Sequence, residues 1–426
     1  MEMKKNNNRG RSVQSFPDMG LCHGCGLCAA VCPKGAIKIT IHHRTTMNAP
    51  EIDDSLCNSC GICSQSCPGL KIDLRHIYKD GVFSGGPFTA IGPYKQIIQI
   101  QNNGKKPPGS SSEGFVTRSI LKLIQVSDVD GAIVTLPDSK CKIMFNGCLT
   151  NELNDICAAT GSVYGPVSME QAFKDLRATS LLRIAFIGLP CHMHALERLK
   201  EIDPVSYSKI YIKIGLFCSS GKTHRATENL IKKSGINIGA VSAIRYREGD
   251  WPGNLSISCD CGPSPISIPM SDYSSYPEFS VNTPIRCFTC IDWTNFLSDV
   301  AVGDTWNIGG DGRSLLIIRS DRGHHLVKRM NESCTFTCKD LAPAELLKTQ
   351  DNFFLKYAKQ KARRKNLKMM GYENPDYSIS FGGQSLYDRI GDMIIIIPYV
   401  LAEKGCNTLA ELGLKMRMRI IDRLLK

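Results

Sequence analysis

The chain has 426 residues, a formal net charge of +12, 42% hydrophobic and 22% charged residues, and 20 cysteines. That length holds two or three domains with a large core, and the composition excludes collagenous, disordered and disulfide-dense classes. The positive charge concentrates in MKKNNNRGR, KQKARRKNLK and LKMRMRIIDRLLK, and the middle is mixed in sign without interleaved stacking aromatics. Nucleic acid is therefore not expected as a partner, and the basic ends read as solvated tails or as docking segments for an acidic partner. The first residues carry no apolar signal-peptide core, which predicts a cytoplasmic protein with reduced thiols. MIIIIPYVLA is too short to cross a bilayer, so no membrane span is expected, and Pro398 inside it predicts a helix break.

In chain order, residues 1–16 read as a disordered tail. Residues 17–72 hold two cysteine units, each with a short β-prone stretch after it, such as AIKITI. Residues 73–112 are rich in Gly, Pro and Ser, end in NNGKKPPGSSSEG, and read as a linker and loop. From 113 to 340, buried β-branched runs (DGAIVTL, RIAFIGLP, IYIKIGLFC, DVAVGDTWN, SLLIIRS) alternate with amphipathic helical patterns. That alternation predicts an α/β layer with a mostly parallel sheet. Residues 341–426 read as a basic helical region. The predicted fold class is thus an α+β ferredoxin-like N-terminal domain, an α/β domain and a helical C-terminal tail.

CHGCGLCAAVCP (22–33) and CNSCGICSQSCP (57–68) both follow C-x2-C-x2-C-x3-C-P. A [4Fe–4S] cluster needs four converging thiolates; the tight loop supplies three, and in two-cluster ferredoxins the fourth cysteine ligates the other cluster. This assigns Cys22, Cys25, Cys28 and Cys67 to one cluster, and Cys57, Cys60, Cys63 and Cys32 to the second. Gly24, Gly26 and Gly61 let backbone N–H groups approach the sulfurs. Zinc knuckles, the competing reading, need a long loop between C-x2-C pairs, which neither motif has.

Four further cysteines stand where α/β folds build sites. Cys191 opens a helix after RIAFIGLP, Cys218 ends IYIKIGLFC, and Cys287 and Cys290 form RCFTC. Convergence at one sheet edge would allow a third cluster, a zinc site or an unliganded set. Cys259/Cys261 and Cys334/Cys338 lack such placement and read as structural or exposed. His192 and His194 read as packing or solvent-facing residues rather than metal ligands.

Taken in order, GFVTRSIL, ATGSVYGPV, FIGLPCHMHALERLK, IKIGLFCSSGKTHRAT, IRYREGDWPGNL, PIRCFTCIDWTNFLSDVAVGDTW and SLLIIRS resemble the family of coenzyme F420 hydrogenase/dehydrogenase beta subunits over about residues 19–325. The resemblance implies an FAD-binding iron–sulfur flavoprotein, with Cys191, Cys218, Cys287 and Cys290 holding a further [4Fe–4S] cluster. It also implies an enzyme that moves hydride between coenzyme F420 and FAD, and single electrons through the clusters to a redox partner protein or to another member of a complex. Reductase action on a substrate other than F420, or a non-catalytic electron-transfer role, are its alternatives.

Ser110, Ser111, Ser112, Gly114 and Thr117 stand where relatives carry a glycine-rich loop for the flavin phosphates, whose helix N-terminus favours anions. Here Glu113 replaces a glycine, and a carboxylate beside a pyrophosphate would repel it. Thr160, Gly161, Ser162 and Tyr164 are further flavin-contact candidates, or a plain turn. Asp304 is a candidate for the ribityl chain or a turn cap. Arg245 and Arg247 are candidates for an anionic substrate tail, with surface pairing to Glu248 or Asp250 as the alternative.

Overall fold

The computed structural model describes residues 12–77, 82–83, 91–260, 262, 264–307, 312–333, 335–350, 360–382 and 386–424. Residues 1–11 of the expected tail, Cys261 and Cys334 lie outside the described residues. Residues 12–16 depart from the expected disorder. Ser12 caps a short turn over Val13–Ser15, and Val13 and Phe16 are buried with Leu21, Ala29 and Ile37 under the cysteine repeat. Two apolar anchors suffice to order so short a segment against an existing core.

Within the repeat, the motif helices Leu27–Ala30 and Ile62–Gln65 each start after a glycine in the left-handed region, Gly26 at φ 79° and Gly61 at φ 76°. Strand β1 (Ile37–Ile41) pairs antiparallel with β2 (Asn48–Ile52), so the hairpin lies between the two motifs. The strand expected after the second motif is reduced to a single bridge, Lys71 to Asp376. A short strand β3 (Val82–Phe83) follows.

The stretch read as linker and loop contributes β4 (Gln96–Asn102) to the main sheet. Flanking Gly and Pro dominate its composition, yet QIIQI is apolar enough to be buried, and β4 pairs on both sides. Next come β5 (Gly131–Pro137), β6 (Phe145–Thr150), β7 (Val167–Ser168), β8 (Ile184–Gly188) and β9 (Ile210–Leu216). Strands β10 (Val241–Glu248), β11 (Asn254–Cys259) and β12 (Ile266–Pro269) form a separate antiparallel sheet. Then follow β13 (Val300–Asp304), β14 (Ser314–Ile318), β15 (Phe336–Asp340) and β16 (Ser380–Phe381), the last paired with β3.

The main sheet has the order β15-β4-β14-β13-β9-β8-β5-β6-β7. Only its centre, β13-β9-β8-β5, and the β6-β7 pair are parallel, while β15-β4-β14-β13 and β5-β6 are antiparallel. The sheet is therefore mixed rather than mostly parallel. A run such as SLLII, buried along its whole length, looks the same in either direction; the antiparallel pairings of β13 with β14 and of β5 with β6 are what the apolar runs could not show. Alternate residues supply two cores. Ile98, Val134, Ile187, Ile214 and Leu316 meet helices Phe115–Gln125 and Asp321–Glu332 on one face. Ile97, Ile133, Phe186 and Ile317 meet Glu170–Ala178 and Pro190–Ile202 on the other.

The C-terminal region folds back onto the rest. Helix Leu386–Glu403 runs through Pro398 without the expected break. An interior proline costs about 3 kcal/mol. Here Ile396 and Val400 bury against Ile285, Leu367 and Tyr372, and Ala402 against Val281, Ala410 and Leu414, which offsets that cost. Gly413 of helix Asn407–Leu424 admits the proline ring: a Cβ there would stand 3.4 Å from Pro398 Cγ.

Candidate functional site

The carboxyl ends of β5, β8, β9 and β13 open into a cavity of about 740 Å³. Thr135, Leu189, Phe217 and Gly303 mark those four ends on its wall. Open α/β sheets place ligands at this edge, and the volume is that of a small-molecule or cofactor site. All ten residues singled out for a cofactor line this one cavity: Ser110, Ser111, Ser112, Gly114, Thr117, Thr160, Gly161, Ser162, Tyr164 and Asp304.

Their geometry is that of a hydroxyl-lined cradle. Ser110 Oγ donates to Pro107 O at 2.7 Å, and Ser162 Oγ donates to Ser111 Oγ at 2.9 Å. Ser112 and Ser314 hydroxyls meet at 2.9 Å, Thr117 and Thr160 at 3.2 Å. Gly161 is needed for the close approach of its loop: a Cβ there would lie 3.0 Å from Gly109 O. Gly114, at φ 72°, turns the chain into helix Phe115–Gln125, whose N-terminus meets the cavity. Glu113 does not face into it. Its side chain is buried, accepts from Asn102 N at 2.7 Å at the end of β4, and has Lys106 Nζ at 3.6 Å. The repulsion expected from this carboxylate is thereby relieved: the donor set fits a phosphate-bearing cofactor. Burial pushes the Tyr164 phenol up to about 12, so it keeps its proton across the neutral range.

The two candidate arginines part ways. Arg247 is buried; it donates to Pro252 O at 2.7 Å, Ser111 O at 2.9 Å and Asp304 Oδ2 at 2.5 Å. Its guanidinium also lies 4.6 Å from the Trp251 ring centroid and 5.2 Å from that of Trp306. Arg247 thus ties the serine loop to the end of β13, and Asp304 is its counter-ion. Arg245 is half exposed, 3.8 Å from Glu248 and 3.5 Å from Thr160 O, and is not part of the cavity wall.

The four cysteines of the sheet edge are brought together. After burial, the nearby thiols of Cys218, Cys287, Cys290 and then Cys25 hold the Cys191 thiol well above its ordinary value. Cys218 and Cys287 reach the cavity wall. Gly221 N donates to Cys287 Sγ at 3.4 Å. A buried Asn295 fixes the strand ends that carry this set, its Nδ2 donating to Gly188 O at 2.9 Å and Leu216 O at 3.3 Å. Asp292 accepts from Phe296 N at 3.0 Å and meets His194 Nε2 at 3.1 Å, both side chains fully buried. His192 is buried too, its Nδ1 accepting from Leu189 N at 3.3 Å, and burial draws it down to about 4.

Among the described residues no group of three or more His, Cys, Asp or Glu converges tightly enough for a single metal ion. Zn–S bonds of about 2.3 Å would hold such sulfurs within about 4 Å of each other.

In the N-terminal repeat, Cys67 stands near the first motif's cysteines and Cys32 near Cys63 of the second. Burial and then the neighbouring Cys67 push Cys22 up to about 12, and Cys67 acts likewise on Cys25 and Cys28. Cys63, in turn, has Cys60 and Cys32 beside it. Gly24 N points at Cys22 Sγ at 3.4 Å and Ala36 N at Cys32 Sγ at 3.3 Å, contacts of the kind that tune cluster potentials. The first motif abuts the sheet: Met169 N donates to Cys25 O at 3.0 Å.

Residues 181–344 match the family described as the C terminus of the coenzyme F420 hydrogenase/dehydrogenase beta subunit, and residues 21–69 match the 4Fe-4S dicluster domain. The chain is 23% identical over 398 residues to the coenzyme F420-dependent sulfite reductase of Methanocaldococcus jannaschii, covering 89% of this chain and 55% of that protein. It therefore spans about half the length of that relative. It is 25% identical over 312 residues to one of the F420H2 dehydrogenase subunits of Methanosarcina mazei, covering 71% of this chain and 80% of that one. A chain of the F420-reducing [NiFe] hydrogenase complex from Methanosarcina barkeri superposes with a TM-score of 0.52 at 19% identity, over 67% of this chain and 97% of that chain. The resemblance to the F420 hydrogenase/dehydrogenase beta subunits holds.

Within that family frame, several site residues carried no sequence signal. Lys222 lines the cavity and donates to Thr283 Oγ1 at 2.9 Å and Ser280 O at 3.1 Å; burial draws its ammonium down to about 8, opposed by Cys287. Arg363, Ile395 and Tyr399 close the far end from the C-terminal region, beyond the matched segment. A lysine in SSGKTH or an arginine in ARRK looks like ordinary surface charge. Only the KTH position, four residues after Cys218 at a strand end, hinted at the first of them.

Proposed function

We propose that this chain is an iron–sulfur flavoprotein oxidoreductase that transfers hydride between coenzyme F420 and FAD and passes single electrons through [4Fe–4S] clusters to a protein or substrate acceptor. One observation carries the reading: the hydroxyl cradle of Ser110–Thr117 and Thr160–Tyr164 shares a single cavity with Cys218 and Cys287. A flavin bound there accepts two electrons as hydride and releases them one at a time, which is what connects a hydride donor to one-electron carriers.

The chain's own residues do the holding. Serine and threonine hydroxyls and the N-terminus of helix Phe115–Gln125 take the cofactor's phosphates. Arg247, clamped by Asp304 and Ser111 O, fixes the loop against the sheet. Tyr164 and Lys222 keep protons at Oη and Nζ near neutral pH, offering donors to developing negative charge. The cysteine assignments follow the two sets of the N-terminal repeat and the Cys191, Cys218, Cys287, Cys290 set. The relative named for the reduction of sulfite and the hydrogenase complex support an acceptor or partner that receives electrons at the far end of the chain of clusters.

A second reading, a reductase of the same architecture that uses another donor, is favoured by 7-hydroxymethyl chlorophyll a reductase of Oryza sativa, 20% identical over 243 residues. Anaerobic purification with iron, sulfide and flavin quantitation, then titration with reduced F420 and a viologen dye, separates the readings. One FAD per chain with bleaching by reduced F420 is the expected result. Flavin without response to F420 selects the second reading, and clusters without flavin sink both.

A further inference from the structure

Three buried arginines invite comparison. Arg363 is paired with Asp392 at 2.8 Å and Arg247 with Asp304. Arg286, only 4% exposed, has no carboxylate among the described residues: Nη1 donates to Tyr377 Oη at 3.1 Å and Thr289 Oγ1 at 3.2 Å, and Nε is buried without a partner. A buried guanidinium is expensive unless negative charge answers it.

The position of Arg286 supplies the candidate charges. It precedes Cys287 in RCFTC, and its neighbour Ile285 packs on the chain just before Cys22: a Cβ on Gly20 would meet Ile285 Cγ2 at 3.2 Å. The C-terminal segment 372–377 clamps the two together. Glu373 N donates to Met19 O at 2.8 Å, Asp376 N to Leu70 O at 2.9 Å, and Tyr377 Oη to Thr289 O at 3.0 Å. Arg286 thus lies within electrostatic reach of Cys22 and Cys67 on one side and of Cys287 and Cys290 on the other.

We propose that Arg286 is a positioning residue whose charge answers two iron–sulfur sites at once, the Cys22/Cys25/Cys28/Cys67 set and the Cys191/Cys218/Cys287/Cys290 set, raising both reduction potentials and keeping them close enough for electrons to pass between them. The inference rests on the cluster reading above. Each passage moves one electron and makes or breaks no bond. A cation beside a cluster stabilises the reduced, more negative form, so its removal lowers the potential. The Cys57/Cys60/Cys63/Cys32 set has no part in this arrangement and serves as the internal reference.

The test is a redox titration followed by electron paramagnetic resonance on the full chain, with R286Q, R286K and wild type purified anaerobically and iron counted in each. The expected wild type holds about twelve irons per chain, four for each cluster. R286Q keeps its iron while two midpoints move to more negative potential and the third stays, and R286K keeps midpoints near wild type. Full iron with unmoved midpoints in R286Q overturns the proposal alone. If R286Q loses iron, R286K decides: retained clusters with near-wild-type midpoints support the charge role, and loss of iron in R286K overturns it in favour of a purely structural fit to Tyr377 and Thr289. A wild type with about eight irons overturns the third-cluster reading and the bridging role with it.

Discussion

Cys22–Pro33 and Cys57–Pro68 share one spacing pattern, yet the first is packed beneath the sheet and the second faces solvent. In the first, Cys25, Gly26, Leu27, Ala29 and Ala30 are buried; in the second, Asn58, Ser59 and Cys60 are exposed, as is Leu56 before them. The first touches the sheet side through Met169 N to Cys25 O and Arg177 Nη1 to Ala30 O at 2.6 Å, and Asn48, which backs Gly24, meets His224 Nε2 at 2.9 Å. The second reaches it chiefly at its far end, where Arg198 donates to Gln65 O. Under the proposed function, identical ligand spacing would serve two positions along a route, an inner set near Cys191 and an outer set at the exposed side.

The largest expected effect comes from removing one ligand in each motif. C60S should cost about four irons per chain and stop electron delivery to a protein acceptor, while leaving thermal stability and flavin reduction near wild type. C25S should lose the inner cluster, lower the melting temperature as well, and isolate the flavin from every acceptor. Iron content, melting temperature and dye reduction check this pair. An equal loss of melting temperature in both variants would break the inner–outer distinction.

Glycine substitutions sharpen it at smaller magnitude. Gly26 and Gly61 have nearly the same backbone, φ 79° and 76°, so the left-handed strain of an alanine, about 1–2 kcal/mol, is common to both. At Gly26 a Cβ would stand 2.7 Å from Glu170 N and 2.8 Å from Ser168 Oγ, whereas at Gly61 the nearest neighbour is Gln65 Nε2 at 3.7 Å. G26A should therefore cost on the order of 3 kcal/mol or more once overpacking is added, and G61A about 1–2 kcal/mol. Denaturant midpoints measure the difference, and equal costs would show that the inner motif is not held against the sheet.

The smallest effect concerns pH. Burial draws His224 from 6.5 to about 4, so the unfolded chain takes up this proton at higher pH than the folded one. Its contribution is complete above pH 6.5 and is lost as pH falls toward about 4. H224Q, which can still donate to Asn48 Oδ1, should flatten the fall of melting temperature across that window. An unchanged slope would mean that the His224–Asn48 contact does not anchor the inner motif.

Legibility followed the range of the interaction. The eight N-terminal cysteines could be proposed as ligands because three of each four stand a few residues apart, and the crossing rule takes the fourth from the paired motif. The parallel centre of the sheet was readable in its continuous apolar runs. Strand β4 was not, because the glycines and prolines around QIIQI outweighed five residues that pair with two neighbours. The helix through Pro398 escaped as well, since its offset comes from Ile285 and Gly413, far away in sequence.

Spacing and periodicity determined the proposed ligands of the N-terminal repeat and the strand–helix alternation, because both follow from patterns along the chain. Tertiary structure alone decided that the two motifs differ in burial, that Glu113 turns away from the cavity, and that Arg286 sits between two cysteine sets under a clamp from 372–377. Those outcomes depend on charges and packing partners brought together by folding, and electrostatic energy follows distance in space rather than distance along the chain.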